Sequence, residues 1–445
     1  MLRKLINLIT GNLKYIIIIY VSIQLIYVIF FPSEFRSDAA YYFKLAQECI
    51  QSNSFYPAPQ HLYEDYIFAP LFINLLVIVL NIYNSALSIG ILNIILNMLQ
   101  LLLLYKLTEN IFNKSVATLS AVLYIFYLNN LGLVLTNYTE LLFGVLILGS
   151  LFFYIKKTNK NYFISGLLLG ASITVRPVGW TLFAAFIIFF LYNKFKLKKS
   201  FPIVFSLTGV IIFILLFGSF NYLHFGRFVF TSTTGPVNLL LGANDDATGG
   251  FKSEVYKKGK AGYIENPDTM TYYEKDDFYL DKASHWIISH PLKWLWLMPM
   301  KLIHTFIWDD IALSNLLHTG KWDFARAIKY IVKDKSIKNI LPGSSRFKKA
   351  IFFTVEGGHL IYYYLLLVFI ILGTFNYFKS KSKDEIISII LLYVILGIAM
   401  ILITVGNPRY KYPFITIMIP FAAYFIRMKL SQKEVSRVEQ VDSKE

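Results

Sequence analysis

The sequence predicts an all-α polytopic membrane protein, and three observations support that prediction. Of the 445 residues, 56% are hydrophobic and only 16% are charged, far from the balance of a soluble domain. Apolar runs close to the length of a bilayer crossing recur along the chain. Basic residues, which give a formal net charge of +16, collect in the short segments between those runs. Because backbone groups in lipid have no water to bond, the runs must be helices.

The apolar runs predict a helical bundle of about 10–11 transmembrane helices. They cover residues 15–32, 67–83, 87–105, 115–135, 139–155, 162–175, 178–193, 201–222, 352–378, 386–405 and 412–427. The run 67–83 is the exception, because it is short, contains Pro70 and breaks the alternation of sides set by its neighbours. We expect it to be a re-entrant or interfacial element; otherwise the 106–114 loop is assigned to the wrong side.

The predicted domains follow the changes in composition. Residues 1–222 form an N-terminal transmembrane module whose first outer loop, 33–66, is acidic, and residues 352–430 form the C-terminal transmembrane helices before a cytoplasmic tail, 431–445. Between them, 223–351 has a soluble composition and predicts a mainly helical extracytoplasmic domain. Its Trp-rich piece HPLKWLWLMPMKLIHTFIW, residues 290–308, is expected to lie at the membrane interface, although a poor span is the alternative.

The charge pattern orients the chain. Short loops with many lysines at 106–114, 156–160, 194–199 and 379–383 are expected in the cytoplasm, together with both termini. The connections 135–140, 175–177 and 406–413 then lie outside with the 223–351 domain. This distribution explains the net charge as a topology signal, or in part as contact with anionic lipid, and no nucleic-acid partner is predicted. The chain is expected to be a multi-pass protein of the plasma membrane, with the lipid bilayer as its surroundings.

Several kinds of chemistry lack their usual motifs. The single cysteine, Cys49, allows no intrachain disulfide. The seven histidines form no HExxH motif or paired spacing, so no metal ligands are predicted. No Gly-rich loop of Walker type is present, which argues against ATP hydrolysis. No cofactor is predicted with certainty, and a divalent metal is neither implied nor excluded.

Charged residues collect at the predicted outer ends of the spans. Asp38 follows the first run, Glu140 opens another, Arg176 closes the short run 162–175, and Arg409 and Lys411 precede the last. The cations could hold a phosphate, and a carboxylate could deprotonate a hydroxyl nucleophile. Such a layout suits the displacement of a lipid phosphate from a sugar. Further candidates for substrate binding are Tyr41, Tyr42, Asp65 and Asn244.

Each charged residue also has a structural interpretation. Asp38 could cap the helix that follows it, Glu140 could favour a helix start, and Arg409 and Lys411 could be interface anchors. Arg176 could belong to a structural ion pair. The 14-residue run before Arg176 reaches only about 21 Å, however, so this arginine is expected below the headgroups, where it needs a polar cavity and a partner.

Six motifs, in order, resemble the GT-C membrane glycosyltransferases of the protein O-mannosyltransferase and aminoarabinose transferase type. They are SDAAYYFKLAQ (37–47), TNYTELLFGVLILGSLFF (136–153), GLLLGASITVRPVGW (166–180), NYLHFGRFVFTSTTGPVNLLLGANDDATGG (221–250), ASHWIISHPLKWLWLMPMKL (283–302) and NPRYKYPFITIMIPFAAY (407–424). The resemblance implies a polyprenyl-phosphate-linked hexose or pentose as donor, and inversion at the anomeric carbon.

The resemblance also implies roles for the candidate residues. Asp38 would be the catalytic base or orient the acceptor hydroxyl, Glu140 would be the second carboxylate of the site, and Arg176, Arg409 and Lys411 would hold the donor phosphate. Protein O-mannosyltransferases often carry Asp-Glu in the first loop, whereas Ala39 follows Asp38 here. The acceptor is therefore left open as protein, lipid or glycan.

Two other functions compete with this interpretation. A lipid or glycan transporter or flippase would place ionisable residues near the midplane, often within paired repeats. No internal repeat is visible here, and the charged candidates gather near one face. A polymerase or ligase of surface glycans would share the outer domain and the cations, and only donor use separates it from a transferase.

Overall fold

The computed structural model describes residues 8–31, 35–196, 203–309, 312–320, 322–334, 339–379 and 384–442. Residues 197–199 of the predicted loop 194–199 and residues 380–383 of the predicted loop 379–383 lie outside the described residues, as do residues 1–7. Eighteen α-helices of the described residues are numbered in chain order. They are α1 (Leu13–Phe30), α2 (Asp38–Gln51), α3 (Pro70–Ile82), α4 (Ala86–Ile111), α5 (Lys114–Phe126), α6 (Leu128–Val134), α7 (Glu140–Tyr154), α8 (Asn159–Val175), α9 (Gly179–Lys196), α10 (Ile203–Phe225), α11 (Gly235–Leu241), α12 (Tyr272–Ser289), α13 (Pro291–Phe306), α14 (Leu313–Leu316), α15 (Phe324–Asp334), α16 (Arg346–Lys379), α17 (Glu385–Ile403) and α18 (Tyr412–Asp442).

The helical fold confirms the predicted class of all-α polytopic membrane protein. Within the described residues, 6 helices are long and apolar enough to cross a membrane, or up to 7 if the bent pair α5 and α6 is one span. The apolar helices α3, α7 and Gly179–Phe195 of α9 are shorter. The number of spans expected from the sequence is therefore larger than length and composition alone support. With 13 residues, α3 reaches only about 20 Å, less than the ~30 Å core.

The helices extend beyond the predicted C-terminal module of residues 352–430. The helix α16 begins at Arg346, and α18 continues to Asp442. The structure contains no membrane, so the bounds of the module itself stay a prediction.

Hydrogen bonds between helices organise the interior of the bundle. The Asn97 side chain on α4 donates to the hydroxyl of Tyr20 (3.0 Å) and to Oε1 of Gln24 (3.1 Å), both on α1. It accepts from the Tyr124 hydroxyl on α5 at 2.6 Å. The Tyr412 hydroxyl on α18 donates to Oδ1 of Asn130 at 2.7 Å. Buried amides and hydroxyls of this kind stabilise helix pairs where the hydrophobic effect between helices is weak.

Glycines allow helices of the bundle to approach closely. A Cβ on Gly166 of α8 would lie 2.0 Å from the carbonyl oxygen of Ser206 on α10, and one on Gly373 of α16 would lie 2.0 Å from that of Phe421 on α18. Small residues at such crossings bring the backbones into van der Waals contact. Larger residues at either position would force the pairs apart.

A smaller hydrophobic core lies outside the bundle. Val237 and Leu240 of α11 pack with Tyr279 and Trp286 of α12, and Val405 after α17 joins them. Loop 33–66 is tied to this domain, because the buried ammonium of Lys275 on α12 donates to the carbonyls of Tyr63 and Glu64. We call the part of 223–351 that holds this core the outer domain, after its predicted side of the membrane. The first loop, the outer domain and the end of α17 therefore surround a common space.

Candidate active site

Four charged residues from distant parts of the sequence meet at the ends of their elements. Asp38 is the first residue of α2, Glu140 is the first of α7, and Arg176 directly follows α8. Arg409 lies in a 3₁₀ turn, Pro408–Lys411, that leads into α18. Each side chain is thus presented by a helix end rather than a helix face.

Local sequence explains why the chain turns at these points. Arg176 precedes Pro177, which disfavours the helical conformation in the residue before it, and Arg176 is extended with φ −147° and ψ 130°. The 3₁₀ turn is started by Asn407, whose side chain accepts a hydrogen bond from the backbone N–H of Arg409 at 3.0 Å. The dipeptides Arg-Pro and Asn-Pro therefore set the direction in which both arginines leave the backbone.

Glu140 links the two arginines. Its Oε1 lies 2.8 Å from an Nη of Arg176 and accepts from Nε of Arg409 at 2.8 Å, while its Oε2 accepts from Arg409 at 3.3 Å. The Glu140 side chain is 0% exposed. A carboxylate this deep is stable only when it is paired and hydrogen-bonded, and two guanidinium groups provide both.

Asp38 lies at the accessible end of the cluster. Its Oδ2 accepts from Arg409 at 2.5 Å, yet its side chain is 39% exposed, against 17% for Arg409. The guanidinium of Arg409 also lies 3.9 Å from the centre of the Tyr138 ring, a cation–π contact. Asp38 is therefore the carboxylate of the cluster that a substrate can reach.

The cluster opens into a cavity of about 350 Å³. Its wall includes the apolar side chains of Val178, Met400 and Ile401, and also Tyr66, Asn238, Tyr256 and Tyr410. Asp38, Arg176 and Arg409 line the same cavity. Pockets for small molecules are mostly apolar with a few placed polar groups, and this cavity has that composition.

Lys411 does not face this cavity, contrary to the expectation that it holds the donor phosphate. Its ammonium is 0% exposed and lies 3.1 Å from Oδ1 of Asp309. It also donates to the carbonyls of Thr305 (3.0 Å) and Pro408 (3.2 Å). Because Lys411 lies two residues beyond Arg409 in a 3₁₀ turn, its side chain leaves on a different side.

The other sequence candidates divide in the same way. Tyr42 lines the cavity, and its role in substrate binding stays a prediction. Tyr41 instead donates to Glu64, and Asp65 lies 3.3 Å from the ammonium of Lys275 with 63% of its side chain exposed. The Asn244 amide donates to the carbonyl of Leu240 at 2.8 Å, which closes the end of α11. Of these four candidates, only Tyr42 lies in the described wall of the cavity.

Sequence reasoning missed several residues of the cavity wall. Tyr138, Tyr66 and Tyr410 each lie next in the chain to a residue or segment that had been singled out, and the outer domain adds Asn238 and Tyr256. The neutral aromatic and amide side chains gave no signal because the chain contains 31 Tyr and 39 Phe. Only proximity to Glu140 and Arg409 could have marked Tyr138 and Tyr410.

The donor set does not suit a metal ion. Both carboxylates of the cluster contact guanidinium groups, so a cation would have to share them with two arginines. No group of three or more His, Cys, Asp or Glu side chains that could hold a metal occurs in the part of the chain described above.

Comparisons with known proteins fit this architecture. The family described as dolichyl-phosphate-mannose-protein mannosyltransferase matches residues 67–217, which contain Glu140 and Arg176. The oligosaccharyltransferase of Archaeoglobus fulgidus, solved with Zn and sulfate, is 13% identical, with 94% of this chain and 50% of that chain covered and a TM-score of 0.50. The archaeal oligosaccharyltransferase AglB from the same organism, solved with an inhibitory peptide and a dolichol-phosphate, is 15% identical. The match covers 97% of this chain and 52% of that chain, with a TM-score of 0.49. No curated protein sequence matches the chain.

The fold and the cluster define a polytopic helical membrane protein with a carboxylate–arginine centre beside an outer domain. The match to that family over residues 67–217 and the shared fold confirm the resemblance to GT-C membrane glycosyltransferases seen in the sequence. The chain spans about half the length of the solved oligosaccharyltransferase chains.

Proposed function

We propose that the protein is a membrane glycosyltransferase that moves a hexose or pentose from a polyprenyl-phosphate donor to an acceptor hydroxyl on the extracytoplasmic face, with inversion. The single observation that carries this proposal is the partly exposed Asp38 beside two arginines in one cavity. The matched family is named for a dolichyl-phosphate-linked donor, which supports a lipid phosphate as the leaving group.

The arrangement supports a division of roles. Arg176 and Arg409 would bind the donor phosphate, and their positive charge would stabilise the negative charge that grows on it as the sugar leaves. Arg176 is the better placed of the two to bind the phosphate, because the guanidinium nitrogens of Arg409 already donate hydrogen bonds to Glu140 and Asp38. Glu140 has no exposed surface, so it would position the arginines rather than contact the reacting atoms.

The chemistry requires one base. The acceptor oxygen forms a bond to the anomeric carbon, the bond from that carbon to the phosphate oxygen breaks, and its electron pair leaves with the phosphate. The hydroxyl proton would pass to Asp38, the exposed carboxylate. Because the leaving group is a stable phosphate anion, no general acid is needed. The proposed reaction includes no metal step.

The cavity wall supports a lipid-linked, uncharged sugar. Its apolar side chains, Val178, Met400 and Ile401 among them, suit the first isoprene units next to the phosphate. Its tyrosines and Asn238 suit the ring and hydroxyl groups of a sugar, because aromatic faces pack on apolar ring faces while amides bond the hydroxyls.

The proposal is tested on full-length protein in nanodiscs with a panel of polyprenyl-phosphate sugars. With water as the hydroxyl that takes the sugar, we expect the wild type to release polyprenyl phosphate. Asp38→Asn should bind the donors but release at least about 100-fold less, a typical loss for a general base. Asp65→Asn is the matched control, because Asp65 is in the same loop but outside the cavity wall. A well-folded wild type that binds no donor of the panel would instead favour a transporter or flippase.

A further inference from the structure

A second cavity, of about 430 Å³, adjoins the chain segment that carries Asp38. Its described wall includes Arg36, His318, Gly320 and Lys348. Arg36 lines this cavity while Ser37 and Asp38 line the first one. Because consecutive Cα atoms are 3.8 Å apart, the Cα atoms of Arg36 and Asp38 are separated by no more than about 7.6 Å.

The wall of this second cavity is cationic and polar. The guanidinium of Arg36 packs on Gly320. One of its Nη atoms lies 3.1 Å from the position that a Cβ on Gly320 would take. A larger residue at position 320 would therefore displace the guanidinium. The ammonium of Lys348 donates to the carbonyl of His318 at 3.1 Å, which leaves two of its N–H groups for another acceptor. No carboxylate occurs among the described wall residues.

The surrounding segment is basic where topology does not require it. Residues 314–350 contain nine lysines and arginines but two aspartates. In the proposed orientation this segment is extracytoplasmic, so the positive-inside rule does not account for it. Arg346, Lys348 and Lys349 also lie in the first turn of α16, where the helix dipole disfavours cations and favours an anion.

We propose that this second cavity is the acceptor subsite and binds a phosphate group carried by the acceptor. The inference rests on the proposed function, because it places an acceptor hydroxyl beside Asp38. A phosphate between Arg36 and Lys348 would hold the acceptor while a hydroxyl a few bonds away reaches the first cavity. The phosphate could belong to a glycerol-phosphate glycan or to a phospholipid headgroup, which share the same chemistry.

Binding is measured first, on full-length protein in phosphatidylcholine nanodiscs by thermal shift. One arm adds sn-glycerol 3-phosphate, with glycerol as the neutral probe, and the other replaces part of the lipid with phosphatidylglycerol. We expect a rise in melting temperature in one arm that Lys348→Gln loses and Lys348→Arg keeps. Lys333→Gln, which removes a charge of the same segment outside the cavity wall, should behave as the wild type. The responding arm identifies the source of the phosphate.

Kinetics then separate this inference from the proposed function. With the responding acceptor, Lys348→Gln should raise its KM about ten-fold, as expected for one charge-assisted hydrogen bond, and leave the donor KM unchanged. No response in either arm, an equal response to glycerol, or a response that Lys348→Gln retains would overturn the subsite. Lys348-dependent binding without any release of polyprenyl phosphate would overturn the transferase and keep an anion site.

Discussion

Arg409 combines three interactions on one side chain. It donates to Glu140 through two nitrogens, donates to Asp38 through a third, and packs on the Tyr138 ring. A lysine cannot reproduce this pattern, because its single ammonium has neither the planar fork nor the stacking face. Arg409 therefore holds Asp38, the proposed base, and also lines the cavity.

Arg176 tests the phosphate assignment at the residue scale. Arg176→Ala should raise the Kd for the polyprenyl-phosphate donor about 10- to 100-fold, because it removes a charge-assisted hydrogen bond. Arg176→Lys should recover part of the affinity. Donor binding is measured by titration in nanodiscs.

Arg227→Gln is the control for this measurement, since Arg227 is 45% exposed and pairs with Asp277 outside the cavity wall. Equal losses of donor affinity and of melting temperature in Arg176→Ala would instead indicate a purely structural ion pair with Glu140.

The ends of elements, rather than their faces, build the site. The 3₁₀ turn that carries Arg409 is anchored from below by Lys411, whose buried ammonium contacts Asp309, and His359 approaches the other carboxylate oxygen at 3.0 Å. The Tyr127 hydroxyl at the break between α5 and α6 donates to Asp309 as well, at 3.0 Å. Four elements thus share one buried polar network, and we infer that it fixes the turn.

Lys411→Met should destabilise the protein by about 3–5 kcal/mol, because it leaves the Asp309 carboxylate buried without its cation. The donor KM of the remaining folded protein should stay near that of the wild type. Thermal unfolding and donor titration measure the two effects. A stable Lys411→Met variant with weakened donor binding would restore the expectation that Lys411 binds the phosphate.

Asp276 on α12 gives the outer domain a pH dependence. Burial raises the pKa of its carboxyl from 3.8 to about 8. Between these values the folded state keeps a proton that the unfolded state has lost, so stability falls as pH rises from about 4 to 8. Asp276→Asn should therefore melt higher than the wild type at pH 8.5, and the difference should shrink toward pH 5.

Asp277→Asn is the control for this comparison, because Asp277 is adjacent but 64% exposed. An unchanged difference between wild type and Asp276→Asn across the pH range would contradict the protonated carboxyl.

At the scale of the whole molecule, the bundle and the outer domain enclose the site together. The cavity takes residues from the first loop, the ends of α7, α8 and α17, and the outer domain. The backbone N–H of Gly406 donates to the carbonyl of Gly249 at 2.8 Å. This bond joins the segment just before the turn that carries Arg409 to the outer domain. Movement of that domain relative to the bundle would therefore change access to Asp38.

Reporter fusions test the orientation of the whole molecule. Fusions at residues 110 and 158 should report the cytoplasm and a fusion at 260 the extracytoplasmic side, as the lysine distribution predicts. Alkaline phosphatase and a cytoplasmic fluorescent reporter give opposite signals on the two sides. An extracytoplasmic signal at 110 would mean that α3 crosses the membrane completely.

The sequence by itself determined the class and the order of the helices, and it singled out four charged residues that the structure brings together. Composition and apolar runs suffice for the class and the helix order, because in lipid the backbone N–H and C=O groups must all be hydrogen-bonded within the protein. Asp38, Glu140, Arg176 and Arg409 were recognisable because charges at the ends of apolar runs are costly unless they have a partner.

Only the tertiary structure decided which of the candidate residues line the cavity. Lys411 and Arg409 are two residues apart, yet one is buried against Asp309 and the other lines the cavity. Glu140 and Asp38 are both acidic, yet only Asp38 is exposed. The direction of a side chain depends on the turn that carries it and on neighbours hundreds of residues away. The tyrosines of the cavity wall, common throughout the chain, acquire a role only through that placement.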